Sequence, residues 1–347
     1  MIYVLIAIIA TILAIPISKR KNLINRILFL LSFLVALLPM GLRYGIGTDY
    51  FYTYVPYFNW IGKGVNEFDE LGFNFLNKII YDTTGDYRVL FFITSFIFLV
   101  LIYKTIYNNS ENIWLSVLLI FIGQAYFYGM NIVRQSLAMA IILLSFNFLK
   151  KNNKIAYLLL GLLAFSMHSS AIILIPFLYL SRFNINTKKK LLILFLVVCC
   201  FPITSILIEK IIINTKYAWY YTNSNYHEAI SNTVILENIV VFIIDLLVTI
   251  KNKNKIDKEY QMLSNINFFG IVIMILSSTI PLINRLIRYF TIFQIIFIPK
   301  IINKISLVKD RIAIYLLIII IMSSLTFYQI IIKGGEEVYP YVSIFGK

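Results

Sequence analysis

Eleven long apolar runs, separated by short polar intervals, leave this chain few folds to choose from. They fall at about residues 1–17, 27–42, 88–106, 113–130, 131–149, 155–180, 191–208, 233–250, 262–283, 286–302 and 312–332. Hydrocarbon offers the backbone no hydrogen-bond partner, so an apolar run of roughly 20 residues must satisfy its own amides as a helix. Composition agrees: 60% of the 347 residues are hydrophobic and 14% are charged, where a soluble domain carries about 25% charged residues. The expected fold is an all-α polytopic integral membrane protein of about 11–12 transmembrane helices. No soluble domain is evident, so residues 1–347 read as a single polytopic membrane domain. A first large outer loop with an interfacial helix spans 43–88, and a second outer loop spans 209–232.

The net charge of +15 does not indicate nucleic acid, because the basic residues sit in short clusters between apolar runs rather than on one soluble face. They read as topology signals. Six clusters hold Lys19, Arg20, Lys21 and Arg26; Lys104; Lys150, Lys151 and Lys154; Arg182 and Lys188–Lys190; Lys251, Lys253, Lys255 and Lys258; and Lys300, Lys304, Lys309 and Arg311. Together they contain 20 of the 31 basic residues but share their side with only four acids, Glu111, Asp257, Glu259 and Asp310. All six are cytoplasmic if the run 155–180 goes out and comes back. Ser166-Met167-His168-Ser169-Ser170 interrupts it midway, which suggests two short helices or a re-entrant pair with His168 near the outer tip. A single tilted span is the alternative. The outer face then carries Arg43, Asp49, Glu67, Asp69, Glu70, Arg134, His168, Arg285 and Arg288, so recognition or chemistry is expected there.

Within that face, Arg43-Tyr44-Gly45-Ile46-Gly47-Thr48-Asp49-Tyr50 sets charge and glycine directly after an apolar run. Ionisable residues at that depth face a cavity or a substrate path. Arg134, in Asn131-Ile132-Val133-Arg134-Gln135, keeps its charge and wants an anion: either Asp49 or Glu70 within the protein, or phosphate oxygens gripped by the guanidinium fork. Arg285 and Arg288 lie three apart and share a helix face, placed either to snorkel or to bind phosphate. The aromatic stretch Tyr50 to Trp60 fits an interfacial helix and equally a sugar-stacking surface. His168 and Glu70 are each structural or proton-accepting. Asp245 lies deeper, as a helix-pairing residue or a proton site. His227 reads as solvated. Cys199 and Cys200, adjacent in a span, read as small apolar residues. Met1-Ile2-Tyr3 lacks a charged lead, so the first run is expected to remain as a helix. There is no metal-ligand spacing, P-loop or dinucleotide fingerprint, and no cofactor is expected.

Four of these motifs, Arg43-Tyr44-Gly45-Ile46-Gly47-Thr48-Asp49-Tyr50, Glu70-Leu71-Gly72-Phe73, Asn131-Ile132-Val133-Arg134-Gln135 and Met167-His168-Ser169-Ser170, in that order, resemble the EpsG family of bacterial exopolysaccharide and capsule clusters, similar in role to Wzy polymerases. The resemblance is strongest over about residues 40–180; later it rests on hydropathy and on Asn284-Arg285-Leu286-Ile287-Arg288-Tyr289-Phe290. It implies a metal-independent glycosyltransferase of the cytoplasmic membrane that polymerises undecaprenyl-diphosphate-linked oligosaccharide repeat units on the outer face. The implied partners are that lipid-linked glycan, membrane lipids, and a chain-length regulator and flippase of the same pathway, with no nucleic acid. On this reading Arg43, Arg134, Arg285 and Arg288 bind diphosphate and stabilise the charge of the departing group. Asp49 is the first choice of base, followed by Glu70 and His168. Tyr44, Tyr50, Asn131 and Gln135 contact sugar or polar groups. A flippase or secondary transporter would grip the same lipid with polar residues through the full membrane depth. A membrane acyltransferase would rely on His168 and need the arginines less, and a non-catalytic scaffold would need neither.

Overall fold

The structure, a computed structural model, describes residues 2–17, 22–65, 69–214, 218, 231–277 and 283–346. The second outer loop, His227 and Glu67 lie largely or wholly outside the described residues, as do Lys19, Arg20 and Lys21. The helices are α1 (Ile2–Ala14), α2 (Leu23–Gly41), α3 (Val55–Gly62), α4 (Leu71–Thr84), α5 (Tyr87–Asn109), α6 (Ile113–Ile122), α7 (Ala125–Asn131), α8 (Val133–Lys150), α9 (Lys154–Met167), α10 (Leu174–Leu180), α11 (Thr187–Ile213), α12 (Asn232–Lys251), α13 (Lys258–Leu276), α14 (Ile283–Thr291), α15 (Gln294–Asn303) and α16 (Val308–Phe327). The only β pairing among the described residues is an isolated bridge between Arg43 and Ser343. The protein is thus an all-α polytopic membrane protein. Six helices are long and apolar enough to cross a membrane, or up to eight when the bent pairs α6–α7 and α14–α15 each count as one span. Shorter apolar helices account for further runs: 1–17 yields 13 helical residues, and 155–180 is broken in two.

Exposure confirms the solvent for which the helices are built. On α1, Tyr3, Ile6, Ala7, Ala10 and Ala14 are buried while Val4, Leu5, Ile8 and Ile12 are exposed. A helix in water turns a polar face outward; here both faces are apolar, the pattern of a helix between protein and lipid. On α8 nearly every residue is enclosed. Its small Ser136, Ala138, Ala140 and Ser145 permit close approach of neighbouring helices.

The chain divides into two compact units, Met1–Ile175 with Ile319–Lys347, and Pro176–Ile318. In the first, α2 and α5 run antiparallel: Phe29 and Phe33 pack on Tyr103, whose hydroxyl reaches Ser32. The start of α2, the end of α5, the end of α8 and the start of α9 therefore share one end, which is basic. After α9 the chain reverses. The Tyr157 hydroxyl donates to the Ile175 carbonyl, 18 residues on, whereas a continuous helix would separate them by roughly 27 Å. The interruption at His168 is thus a real break, and the run 155–180 is a helix hairpin with His168 at its turn.

In the second unit the structure gives Asp245 an account. Its carboxylate accepts from Tyr260 Oη at 2.8 Å and from Ser264 Oγ at 2.6 Å, and Lys190 Nζ stands 3.9 Å away. Lys190, read from sequence as one of a run of solvated topology charges, is buried and also bonds Ser264. The pairing alternative for Asp245 is the one realised: with Thr249 Oγ1 donating at 3.2 Å as well, the buried carboxylate is held by a cation and three hydroxyls. Cys199 and Cys200 are free and exposed on α11.

Candidate active site

Three residues far apart in sequence meet at the end of the first unit opposite its basic end. Glu70 precedes α4 as its N-cap, yet its side chain makes no capping bond. The carboxylate instead accepts from Arg134 Nη1 at 2.9 Å, from His168 Nδ1 at 3.1 Å and from the Ser169 amide at 3.4 Å. Arg134 stands in the first turn of α8 and His168 caps the C-terminus of α9 in an extended conformation. Gly72 makes this geometry possible, because a side chain there would collide with Ser166 and Met167. Glu70 is almost enclosed, while His168 and Arg134 keep 18% and 20% of their side-chain surface. Burial alone would raise the Glu70 carboxyl, but the hydrogen bond from His168 and the charge of Arg134 outweigh it and pull it down to about 2. Glu70 is therefore ionised and can only accept, so the hydrogen between it and His168 sits on Nδ1. Nε2 is then the nitrogen that carries the lone pair in the neutral ring.

Asn131 ends α7 beside this cluster. Its Oδ1 accepts the Asp49 amide at 3.1 Å and its Nδ2 donates to Glu336 Oε2 at 2.6 Å. Asp49 Oδ1 accepts from Thr53 at 3.3 Å, and the Arg134 amide reaches Tyr54 Oη at 3.4 Å. Tyr50 to Tyr54 form one π-helical turn, a feature frequent at functional sites. Tyr50 is buried and stacked on Phe91 with ring centroids 4.0 Å apart; Tyr44 packs edge-on against Tyr50. Gln135 is buried in α8. Tyr52 and Trp60 remain exposed, so the aromatic segment divides between core and surface.

Arg43 is placed differently from Arg134. It is 1% exposed, donates to the Met40 carbonyl at 2.5 Å and to Ser95 Oγ at 3.1 Å, and lies 4.8 Å from the Phe91 ring centroid. Among the described residues, its Nε and Nη2 have no hydrogen-bond partner. Burial lowers the guanidinium to about 10, so it remains cationic at neutral pH. The C-terminal segment covers it: Tyr44 N donates to Val342 O, Ile344 N to Leu42 O, and Tyr341 Oη to Pro39 O. Arg285 and Arg288 lie on α14 in the second unit, Arg285 exposed and Arg288 partly so.

Glu336 and Glu337 are the residues sequence reasoning missed. Both take left-handed backbone, at φ 62° and 49°, a conformation that costs energy in residues other than glycine. The signal available was Gly334-Gly335 immediately after the last span, which marks a turn but not where it leads. The Glu337 carbonyl accepts from Gly47 N at 3.1 Å. Gly47 has φ +97°, and a Cβ there would lie 2.9 Å from the Met130 carbonyl oxygen. Gly47→Ala is therefore expected to destabilise the protein by about 1–3 kcal/mol and to detach the Asp49 loop from Asn131. A thermal-unfolding midpoint equal to wild type would contradict this.

A model of the EpsG family matches residues 26–343, nearly the whole chain. No curated protein and no solved structure matches.

Proposed function

The chain belongs to the EpsG family, and on that premise we propose that it polymerises lipid-diphosphate-linked oligosaccharide repeat units on the outer face of the cytoplasmic membrane. In the proposed reaction, a sugar hydroxyl of one lipid-linked unit attacks the anomeric carbon of another chain. A new glycosidic C–O bond forms, the C–O bond to diphosphate breaks, and the lipid diphosphate departs. The hydroxyl proton passes to His168 Nε2.

The observation that carries this reading is the single carboxylate, Glu70, shared between His168 and Arg134. A carboxylate on Nδ1 fixes the tautomer and orientation of an imidazole and stabilises the imidazolium formed when Nε2 takes a proton. Glu70 itself, held near 2, is too weakly basic to be an effective proton acceptor near neutrality. The order of bases expected from sequence is thereby revised: His168 becomes the base and Glu70 its positioning residue. Asp49 belongs to the Asn131–Glu336 wall. Arg134, partly exposed, grips a diphosphate oxygen beside the base. Arg285 and Arg288, on α14 of the second unit, are separate candidates for anion contact. Arg43 supports the loop from within.

The test is the lipid-linked glycan pool of cells lacking this protein, sized by mass spectrometry and probed for sidedness. Single repeat units accumulating on lipid at the outer face are the expected result. The same units trapped at the cytoplasmic face would replace this reading with that of a flippase, and full-length polymer lacking only an acyl group would replace it with that of an acyltransferase.

A further inference from the structure

The basic end of the first unit carries a feature that the proposed reaction does not use. A cavity of about 540 Å³ opens among the end of α5, the end of α8 and the start of α9, with Lys104, Lys150 and Lys151 among its lining residues and Leu144, Phe148 and Leu159 as apolar walls. That volume lies within the roughly 300–1,000 Å³ typical of ligand sites. Lys150 is held in place by Asn109, whose Oδ1 it meets at 2.5 Å, while Lys104 and Lys151 are exposed. The sole acid in the sequence between Tyr87 and Leu160 is Glu111. Leu159 is 61% exposed, so the apolar wall of the cavity continues onto the outer surface of the helices.

Three ammonium groups above an apolar wall match a ligand with a phosphate at one end and acyl chains at the other. We propose that this cavity is a binding site for an anionic glycerophospholipid of the cytoplasmic leaflet. Its phosphate sits among Lys104, Lys150 and Lys151, and its acyl chains lie along Leu144, Phe148 and Leu159. Basic recesses between membrane helices on the cytoplasmic side recognise such headgroups, because each cation there adds to the attraction of an anionic lipid. The site is separate from the candidate active site: Arg134 and Lys150 occupy opposite ends of α8, 16 residues or roughly 24 Å apart. A second cleft of about 620 Å³ on α5 repeats the pattern, with Arg26 and Lys104 beside Phe29, Phe33 and Phe96. Lys104 borders both clefts.

Native mass spectrometry of the full-length protein in detergent micelles tests this, with palmitoyl-oleoyl phosphatidylglycerol and the corresponding phosphatidylcholine titrated separately. Phosphatidylglycerol is expected to bind about tenfold or more tightly than phosphatidylcholine. Lys104→Gln with Lys151→Gln should weaken it about five- to thirtyfold, and Arg at both positions should restore it. Ala156→Trp, which fills the cavity without changing a charge, should weaken it as strongly, and Lys309→Gln should leave it unchanged. Equal binding of the two lipids would overturn the proposal. So would wild-type binding by the glutamine variant, or by the tryptophan variant alone, which would reduce the effect to surface charge. Displacement of phosphatidylglycerol by a polyprenyl phosphate of higher affinity would overturn the assignment to a glycerophospholipid.

Discussion

His168→Ala is expected to lower the rate of repeat-unit joining by about 10²–10⁴-fold, the usual contribution of a positioned general base, with little change in donor KM. Glu70→Gln should approach the same loss. The glutamine keeps the shape of the carboxylate, but it removes the charge that stabilises the imidazolium and allows the wrong tautomer. Combining the two should cost scarcely more than either alone, because groups that act as one unit lose their function together. Arg134→Ala differs in direction: it frees Glu70 from its cation and removes a diphosphate contact, so donor KM should rise along with the fall in kcat. Lysine there should rescue poorly, since it lacks the planar fork. The assay is polymer formation by purified protein on lipid-linked repeat units, with thermal midpoints measured for each variant. The alternative is that Glu70 merely fastens the α9–α10 hairpin to α4. In that case the Glu70→Gln loss would follow the fall in midpoint, and it would add to that of His168→Ala. Near-normal turnover in His168→Ala would remove the histidine as base.

All three members of this cluster were legible as candidates in the sequence, and Glu70 was one of two carboxylates expected to pair with Arg134 if the partner was internal; that His168 shares the same carboxylate was not legible. Arg134 and His168 are each a lone ionisable residue at a helix end, Glu70 stands beside Asp69, and a hydrogen-bond partner 64 or 98 residues away leaves no trace in local pattern. The break at His168 was legible, because serines flanking a histidine in mid-run disrupt an apolar span. Hydropathy also announced the spanning helices, since membrane burial is a local property of composition. It misled where charge was involved. Lys190 stands in a run of three lysines and shares its signature with exposed topology charges; only the position of Asp245 on a neighbouring helix makes it a buried partner. Glu336 was invisible for a similar reason. Its place against Asn131 depends on how a tail of about a dozen residues returns across the loop, and that path is set by tertiary contacts.

Arg43 shows what that returning tail does to a reading made from sequence. A membrane-edge arginine beside glycines looks the same whether it lines a substrate path or is enclosed, and here the tail encloses it. Removing it should therefore act on stability first. Arg43→Ala deletes a large side chain from a site that cannot collapse freely around Phe91, and it leaves the Met40 carbonyl without its donor. Each effect is costly, and together they predict a loss of about 3–5 kcal/mol. The tail should loosen with it, because the backbone bridge that pairs Arg43 with Ser343, made by the Tyr44–Val342 and Ile344–Leu42 bonds, is held in place by the packing beneath it. Lys333, at the root of the tail, should then become a site of rapid tryptic cleavage. Arg43→Met separates packing from charge. It restores bulk but no cation, and an apolar residue of similar volume often replaces a buried ion with little loss. The expected outcome is a midpoint recovered most of the way to wild type, short by the bond to the Met40 carbonyl that methionine cannot make, with an intact tail and substantial polymerase activity. A stable Arg43→Met protein with no activity and an unchanged tail would instead return Arg43 to the group of residues that contact the diphosphate, and would require the tail to lift during the reaction.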